Sequence, residues 1–237
     1  MFTRKINLQT KLMMLFIMIP LYFYCGSIIA TAFIKFCVIQ FSLSIDANMA
    51  TCLLNLILDL TYVLLAGLIF KGQLIEQLKD FKKDLKANLI YGVFIGTALV
   101  YGLCIVGSLI TMLLGSAASS QNQTLIEELI KQHPLMLVTA SVILAPIFEE
   151  LLFRGTIFAW AYEIHPIVGH IVSGFLFGFV HVMDSVLSGN INELIQIFPY
   201  FFMGIALSYM YEKRNNIYVP ILSHATNNLI SVIMILL

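Results

Sequence analysis

Residues 135–162 read LMLVTASVILAPIFEELLFRGTIFAWAY. The stretch is far longer than the roughly 20 helical residues that cross a bilayer core of about 30 Å, and its only charges are Glu149, Glu150 and Arg154. An ionisable side chain at mid-membrane costs about 2.5–3.5 kcal/mol even on a lenient insertion scale. A span that carries three of them serves a function rather than stability.

The rest of the chain fits that reading. Of its 237 residues 60% are hydrophobic and 11% charged, with a mean hydropathy of +0.94. A soluble fold of this size cannot bury so much apolar surface, so a soluble enzyme, a disordered chain and a disulfide-stapled secreted domain are excluded. Thirteen Lys and Arg balance thirteen Asp and Glu, which leaves no basic surplus for nucleic acid. The alternating runs of a membrane β-barrel are absent. Cys25, Cys37, Cys52 and Cys104 show no pairing or ligand spacing and read as reduced packing residues.

The expected fold is therefore all-α, a polytopic transmembrane bundle of about seven spans plus a short interfacial helix. The apolar stretches run from Leu12 to about Ile34, Ala47 to Phe70, Asn88 to Leu114, Leu135 to Tyr162, Ile167 to about Met183, Leu194 to Tyr211, and Ile217 to Leu237. Residues 1–134 form an N-terminal part with spans 1–3, and residues 135–237 a core with spans 4–7 that holds nearly all of the chemistry. Leu74, Ile75, Leu78, Phe81 and Leu85 recur at helical spacing between lysines, as in an amphipathic helix at the membrane surface. Thr124 and Glu127 suggest a capping box before 125–130.

Arg4, Lys5, Lys11, Lys71, Lys79, Lys82, Lys83, Lys86, Lys213 and Arg214 all fall on one side if the N-terminus is cytosolic, leaving Lys35 and Lys131 outside. A multi-pass protein of the plasma membrane is expected. Ala30-Thr31-Ala32 resembles a signal-peptidase site, but the apolar run before it is too long for a signal peptide, so a retained first span is expected. No CaaX box ends the chain, so the protein itself is not expected to be prenylated.

Helix geometry sorts the buried polar groups. Glu150 and Arg154 are four apart and share a face, a spacing for a neutralising ion pair. Glu149 points about 140° away from Arg154 and is left free as a reactive carboxylate. Glu149 lies about 20 Å from the cytosolic end of its span, His181 about 21 Å and His224 about 15 Å or less, with Asn228 one turn deeper. Three helices thus bring four groups to one layer. Asn227 is the alternative to Asn228 if the last helix is rotated. Gly174 and Gly178 form a Gly-x-x-x-Gly spacing expected to hold span 5 close to span 4. Asn55 and Tyr62 share the helix face of Asp59 in span 2 and could hydrogen-bond it, so a protonated, satisfied acid and a functional one are both open readings.

No Gly-x-Ser-x-Gly elbow and no Cys beside a base is present, so a covalent mechanism is poorly supported. Glu149, helped by His181, would activate water, while His224 and Asn228 would stabilise an oxyanion. No cofactor is required on this reading. The rival is zinc held by His181, His224 and Glu149 or Glu150. A different class, an ion- or proton-coupled transporter using the same polar layer, would show inverted repeats or broken helices, and neither is visible. A non-catalytic immunity scaffold that binds a peptide is a third reading.

The ordered motifs Glu149-Glu150-Leu-Leu-Phe-Arg154, Phe177-Gly-Phe-Val-His181 and His224-Ala-Thr-Asn-Asn228 resemble the EExxxR, FxxxH and HxxxN signatures of the CAAX protease and bacteriocin-processing family of intramembrane proteases. The resemblance covers roughly residues 135–237. It implies a helical membrane-embedded peptidase whose eukaryotic relatives remove the last three residues of prenylated proteins. Its bacterial relatives are linked to peptide maturation, bacteriocin self-immunity and cleavage of membrane proteins. By position, Glu149 is similar to the family's catalytic glutamate, His181 and His224 to its water-positioning and catalytic histidines, and Asn228 to its oxyanion-side residue. The partners implied are a peptide or lipidated protein substrate within the bilayer, and no nucleic acid.

Overall fold

A computed structural model describes residue 4 and residues 6–116 and 118–237. Lys5, one of the basic residues used to orient the chain, lies outside the described residues. Seven helices are long and apolar enough to cross a membrane: α1 (Leu8–Gln40), α2 (Ala47–Ile69), α4 (Leu85–Leu113), α6 (Pro134–Tyr162), α7 (Pro166–Leu187), α8 (Ile191–Arg214) and α9 (Tyr218–Leu236). Two shorter helices, α3 (Lys71–Lys83) and α5 (Gln121–Gln132), join α2 to α4 and α4 to α6. No strand occurs among the described residues, so the fold is an all-α polytopic bundle and a multi-pass membrane protein. The first span is longer than its apolar core suggests, because Asn7 caps it by accepting from the Thr10 amide at 2.7 Å and so starts the helix before Leu12.

The polar loops sort to the two ends of the bundle. At one end Arg4 donates to Glu76, Asp80 and the Asn215 carbonyl, Arg214 donates to Asn88 and Asp84, and Lys11 pairs with Glu163. Hydrogen bonds from Lys83 and then Arg4 pull the Asp80 carboxyl down to about 2. Gln77 of α3 is buried and receives the Ile217 amide at 2.7 Å, which ties the amphipathic helix to the loop before α9. At the other end Asn48 donates to Gln132, Ser185 donates to Gln121 at 2.7 Å, and Glu193 accepts the Gln121 amide at 2.7 Å. The lysine-rich α3 and the α5 segment therefore occupy opposite ends.

One local expectation is corrected, and one open reading gains no support. The cap of α5 is Ser120, whose hydroxyl accepts from the Gln123 amide at 3.1 Å. Thr124 lies inside the helix and donates back to the Ser120 carbonyl, so Thr124 and Glu127 form no capping box. Neither Asn55 nor Tyr62 is seen bonding Asp59. The Tyr62 hydroxyl donates instead to the Leu21 carbonyl of α1 at 3.3 Å.

The Gly-x-x-x-Gly pair also faces a different partner. A Cβ on Gly174 would meet Ile205 and the Phe201 carbonyl, and one on Gly178 would meet Ile197, so this glycine face packs on α8, while α7 meets α6 elsewhere, with Gly169 against Phe158 and the Ser173 hydroxyl on the Phe153 carbonyl. Gly204 of α8 sits against the Gly174 backbone, where an added Cβ would lie 2.6 Å from the Gly174 Cα. Small residues let two backbones meet, as between membrane helices that gain nothing by burying apolar surface from water. α4 packs closely into the C-terminal half: a Cβ on Gly107 would strike the Phe198 carbonyl at 2.6 Å, and one on Gly96 the Ser223 hydroxyl.

α6 is the buried centre. Phe148, Leu151, Leu152, Phe153 and Phe158 are buried in the main apolar core. The helix widens into a π-type turn over Thr139–Leu144, directly before Pro146, which lacks an amide to continue the ladder. It widens again over Phe153–Phe158, where the Thr156 hydroxyl donates to the Leu151 carbonyl at 3.0 Å. Between them Ala145–Leu152 is regular α-helix, so Glu149 and Glu150 diverge as regular helix geometry requires.

Candidate active site

Glu150 and Arg154 form the expected pair, with Arg154 Nη1 2.9 Å from Glu150 Oε1 and both side chains fully buried. Arg154 also donates to the Gly204 carbonyl at 3.1 Å, and its guanidinium lies 4.5 Å over the Phe177 ring. The same Glu150 oxygen accepts from a second donor that sequence reading missed: His224 Nδ1 at 2.9 Å. A carboxylate only accepts, so Nδ1 carries the hydrogen and Nε2 is the nitrogen turned elsewhere.

That nitrogen faces Glu149. His224 Nε2 is 3.9 Å from Glu149 Oε2, and Glu149 Oε2 is buried with no hydrogen-bond partner. Asp59 of α2, Glu150 and Arg154 are the charged groups that act on Glu149 electrostatically. His181 holds the Phe177 carbonyl at 2.7 Å through Nδ1, so its Nε2 is likewise the free nitrogen.

Glu149, His181, His224 and Asn228 line one cavity of about 160 Å³, so the structure brings together all four residues placed at a common depth by the sequence. Asn227 lines it as well, and donates to Asn228 Oδ1 at 3.1 Å. Asn228 Nδ2 donates to the Ser141 carbonyl at 2.8 Å, which occupies one of its two amide hydrogens and leaves one for a ligand. Sequence reading missed Ser141, Tyr200, Asn122 and Gln123, which complete the polar wall. Ser141 is eight residues before Glu149 and shares its side of α6, which the spacing could have shown. Nothing local links Tyr200 or the two α5 residues to the site. Ile126, Ile130, Val232 and Ile235 make the other end of the cavity apolar.

Among the described residues no three His, Cys, Asp or Glu side chains gather as ligands. Each histidine holds a protein acceptor through Nδ1 and keeps Nε2 unspent, as metal-ligating histidines also do. His224 Nε2 lies 3.9 Å from Glu149 Oε2, against roughly 3.3 Å between neighbouring ligands of a tetrahedral zinc. A water bonded to both atoms would sit beside the pair, off the line that joins them, because 3.9 Å is too short to hold one between them.

Seven apolar helices around a buried cluster of two carboxylates and two histidines define a membrane protein with an intramembrane polar site. Residues 131–230, which hold all three motifs, match the family model described as type II CAAX prenyl endopeptidase Rce1-like. That segment is thus similar to the CAAX prenyl endopeptidase family, in keeping with the resemblance of its three motifs. The chain is 28% identical over 161 residues to "Putative membrane peptidase YdiL" of Bacillus subtilis (strain 168), covering 67% of this chain and 62% of that protein. It is 23% identical over 144 residues to "UPF0177 protein YvdC" of Lactococcus lactis subsp. lactis (strain IL1403), covering 61% of this chain and 52% of the relative. Each match thus spans less than two thirds of the relative's length. No solved structure matches the chain.

Proposed function

We propose that the protein is an intramembrane endopeptidase that hydrolyses peptide bonds of membrane-associated or lipidated peptides with a water activated by Glu149, without a metal ion. The observation that carries this reading is that Glu149 Oε2, without a hydrogen-bond partner, lies 3.9 Å from His224 Nε2 at a cavity lined by amides.

A water beside that pair donates one proton to Glu149 and attacks the peptide carbonyl carbon. The carbonyl oxygen becomes an oxyanion, which the free amide hydrogen of Asn228 is placed to stabilise, and to which His224 Nε2 donates when the ring carries a hydrogen on both nitrogens, Nδ1–H staying on Glu150. His224 keeps its ring orientation through Nδ1 on Glu150. His181, with Nε2 unspent, orients the water. When the C–N bond breaks, the proton held by Glu149 passes to the leaving amine, and acid and amine products result. Peptide maturation and bacteriocin self-immunity are roles this chemistry would serve.

The test compares peptide termini in membranes from cells that express the wild type or Glu149→Gln. A synthetic peptide spanning a site cut only by the wild type is then offered to both purified proteins. Cleavage by the wild type alone is expected. Equal cleavage, or none by a folded wild type, would refute the assignment.

A further inference from the structure

Tyr200 belongs to none of the three motifs, yet it touches the site through His181. Its ring stacks on the imidazole with centroids 4.4 Å apart and planes 21° from parallel. The ring of Phe177 packs on the same imidazole at 4.6 Å and 45°. The Nδ1 bond to the Phe177 carbonyl fixes the tautomer but leaves the ring free to rock about that single hydrogen bond. Aromatic neighbours limit that rocking, and so hold Nε2 at one place relative to Glu149.

The Tyr200 ring is itself anchored. Its hydroxyl is 2.7 Å from the Ser120 hydroxyl, and Asn122 donates to it at the limit of 3.5 Å. Ser120 is the cap of α5, and the same turn is bound to α7 by Ser185 and to α8 by Glu193. The phenol thus hangs from a turn that three helices share. Tyr200 also lines a second, outer cavity of about 430 Å³, whose walls include Thr111, Ser116 and Gln196.

We infer that Tyr200 is a positioning residue for His181, and that its hydroxyl ties the orientation of that histidine to the capped end of α5. The inference rests on the peptidase reading above for its catalytic consequence, but not for the clamp itself. Near-attack geometry is steep: a misplacement of about 1 Å lowers rates by about 100-fold.

Two variants and two readouts test it. Tyr200→Leu removes the aromatic face together with the hydroxyl, while Tyr200→Phe keeps the face and removes the hydroxyl alone. On the peptide found in the cell comparison, Tyr200→Leu is expected to lose about 10- to 100-fold in kcat, with KM within about twofold of wild type, measured well below its thermal midpoint. Tyr200→Phe should lose less. In detergent, ¹⁵N-histidine spectra assigned with His181→Ala should show the His181 signal shifted and broadened in Tyr200→Leu, with the His224 signal in place. A merely structural role would move both histidine signals together. An unchanged kcat in a folded Tyr200→Leu, or an unmoved His181 signal, overturns the inference. A wild type that cleaves no peptide overturns the peptidase reading instead, and the spectra then decide the clamp alone.

Discussion

His224 Nδ1 and Glu150 Oε1 lie 2.9 Å apart, and that one carboxylate oxygen also receives Arg154 Nη1 at 2.9 Å. Glu150 therefore neutralises a buried guanidinium and orients a histidine of the site. The two duties can be separated. Glu150→Gln strands Arg154, and breaking a buried pair costs about 3–5 kcal/mol, so folded yield should fall sharply. The double change Glu150→Gln with Arg154→Met should restore yield while cleavage stays at least about tenfold down, because His224 has lost its charged acceptor. Measured by yield after detergent extraction and by cleavage rate, full recovery of both in the double variant would mean that Glu150 serves Arg154 alone.

Glu149 should behave oppositely to Glu150. Its Oε2 has no hydrogen-bond partner to lose, so Glu149→Gln should insert and fold as the wild type does. Loss of the base should lower cleavage by about 10²–10⁴-fold or more. Size-exclusion profile and thermal midpoint check folding, and peptide hydrolysis checks the rate. Retained hydrolysis would remove Glu149 from the base role.

The span count, the common depth of the polar groups and the Glu150–Arg154 pair were all legible, because each follows from the 1.5 Å rise, the 100° turn and the cost of charge in lipid. What could not be read was which helix lies beside which. Gly174 and Gly178 announced close packing, but a glycine stripe does not encode its partner, and the partner is α8. The second bond of Glu150 crosses from α6 to α9 and leaves no trace in spacing. The α5 cap was misplaced because Ser120 stands outside the apolar pattern that suggested Thr124.

The glycine contact makes its own prediction. Gly204→Ala would drive a methyl to 2.6 Å from the Gly174 Cα, with backbone on both sides and nothing flexible to yield. Overpacking of this kind costs about 1–3 kcal/mol. Gly67→Ala on α2 meets no atom within 4 Å and serves as the control. A lower thermal midpoint for Gly204→Ala alone is expected; equal midpoints would show that α7 and α8 have room to separate.

We propose that the lysine-rich end is cytosolic, by the positive-inside rule. In a background without native cysteines, Lys82→Cys should be labelled only after the membrane is made permeable, and Glu128→Cys from outside intact cells. Both sites sit on helices at opposite ends of the bundle, α3 and α5. The reverse pattern would invert the orientation and leave the depth of the site intact. Labelling of both from one side would contradict the fold.

The metal question has a clean readout. Glu149 as base needs only hydrogen-bond reach to a water, about 2.6–3.2 Å, and the 3.9 Å separation from His224 Nε2 lets a water beside the pair bond to each. Zinc would instead draw both atoms to about 2.0–2.2 Å from one point, which requires His224 or Glu149 to move and His181 to turn its Nε2 inward beside them. Dialysis of the purified protein against a strong chelator should therefore leave hydrolysis unchanged, and elemental analysis should find zinc well below one equivalent. His181→Ala should slow hydrolysis without altering the metal content. If the chelator abolishes activity, added zinc restores it, and His181→Ala and His224→Ala each lose bound zinc, then the two histidines are ligands and Glu149 does not act on water alone.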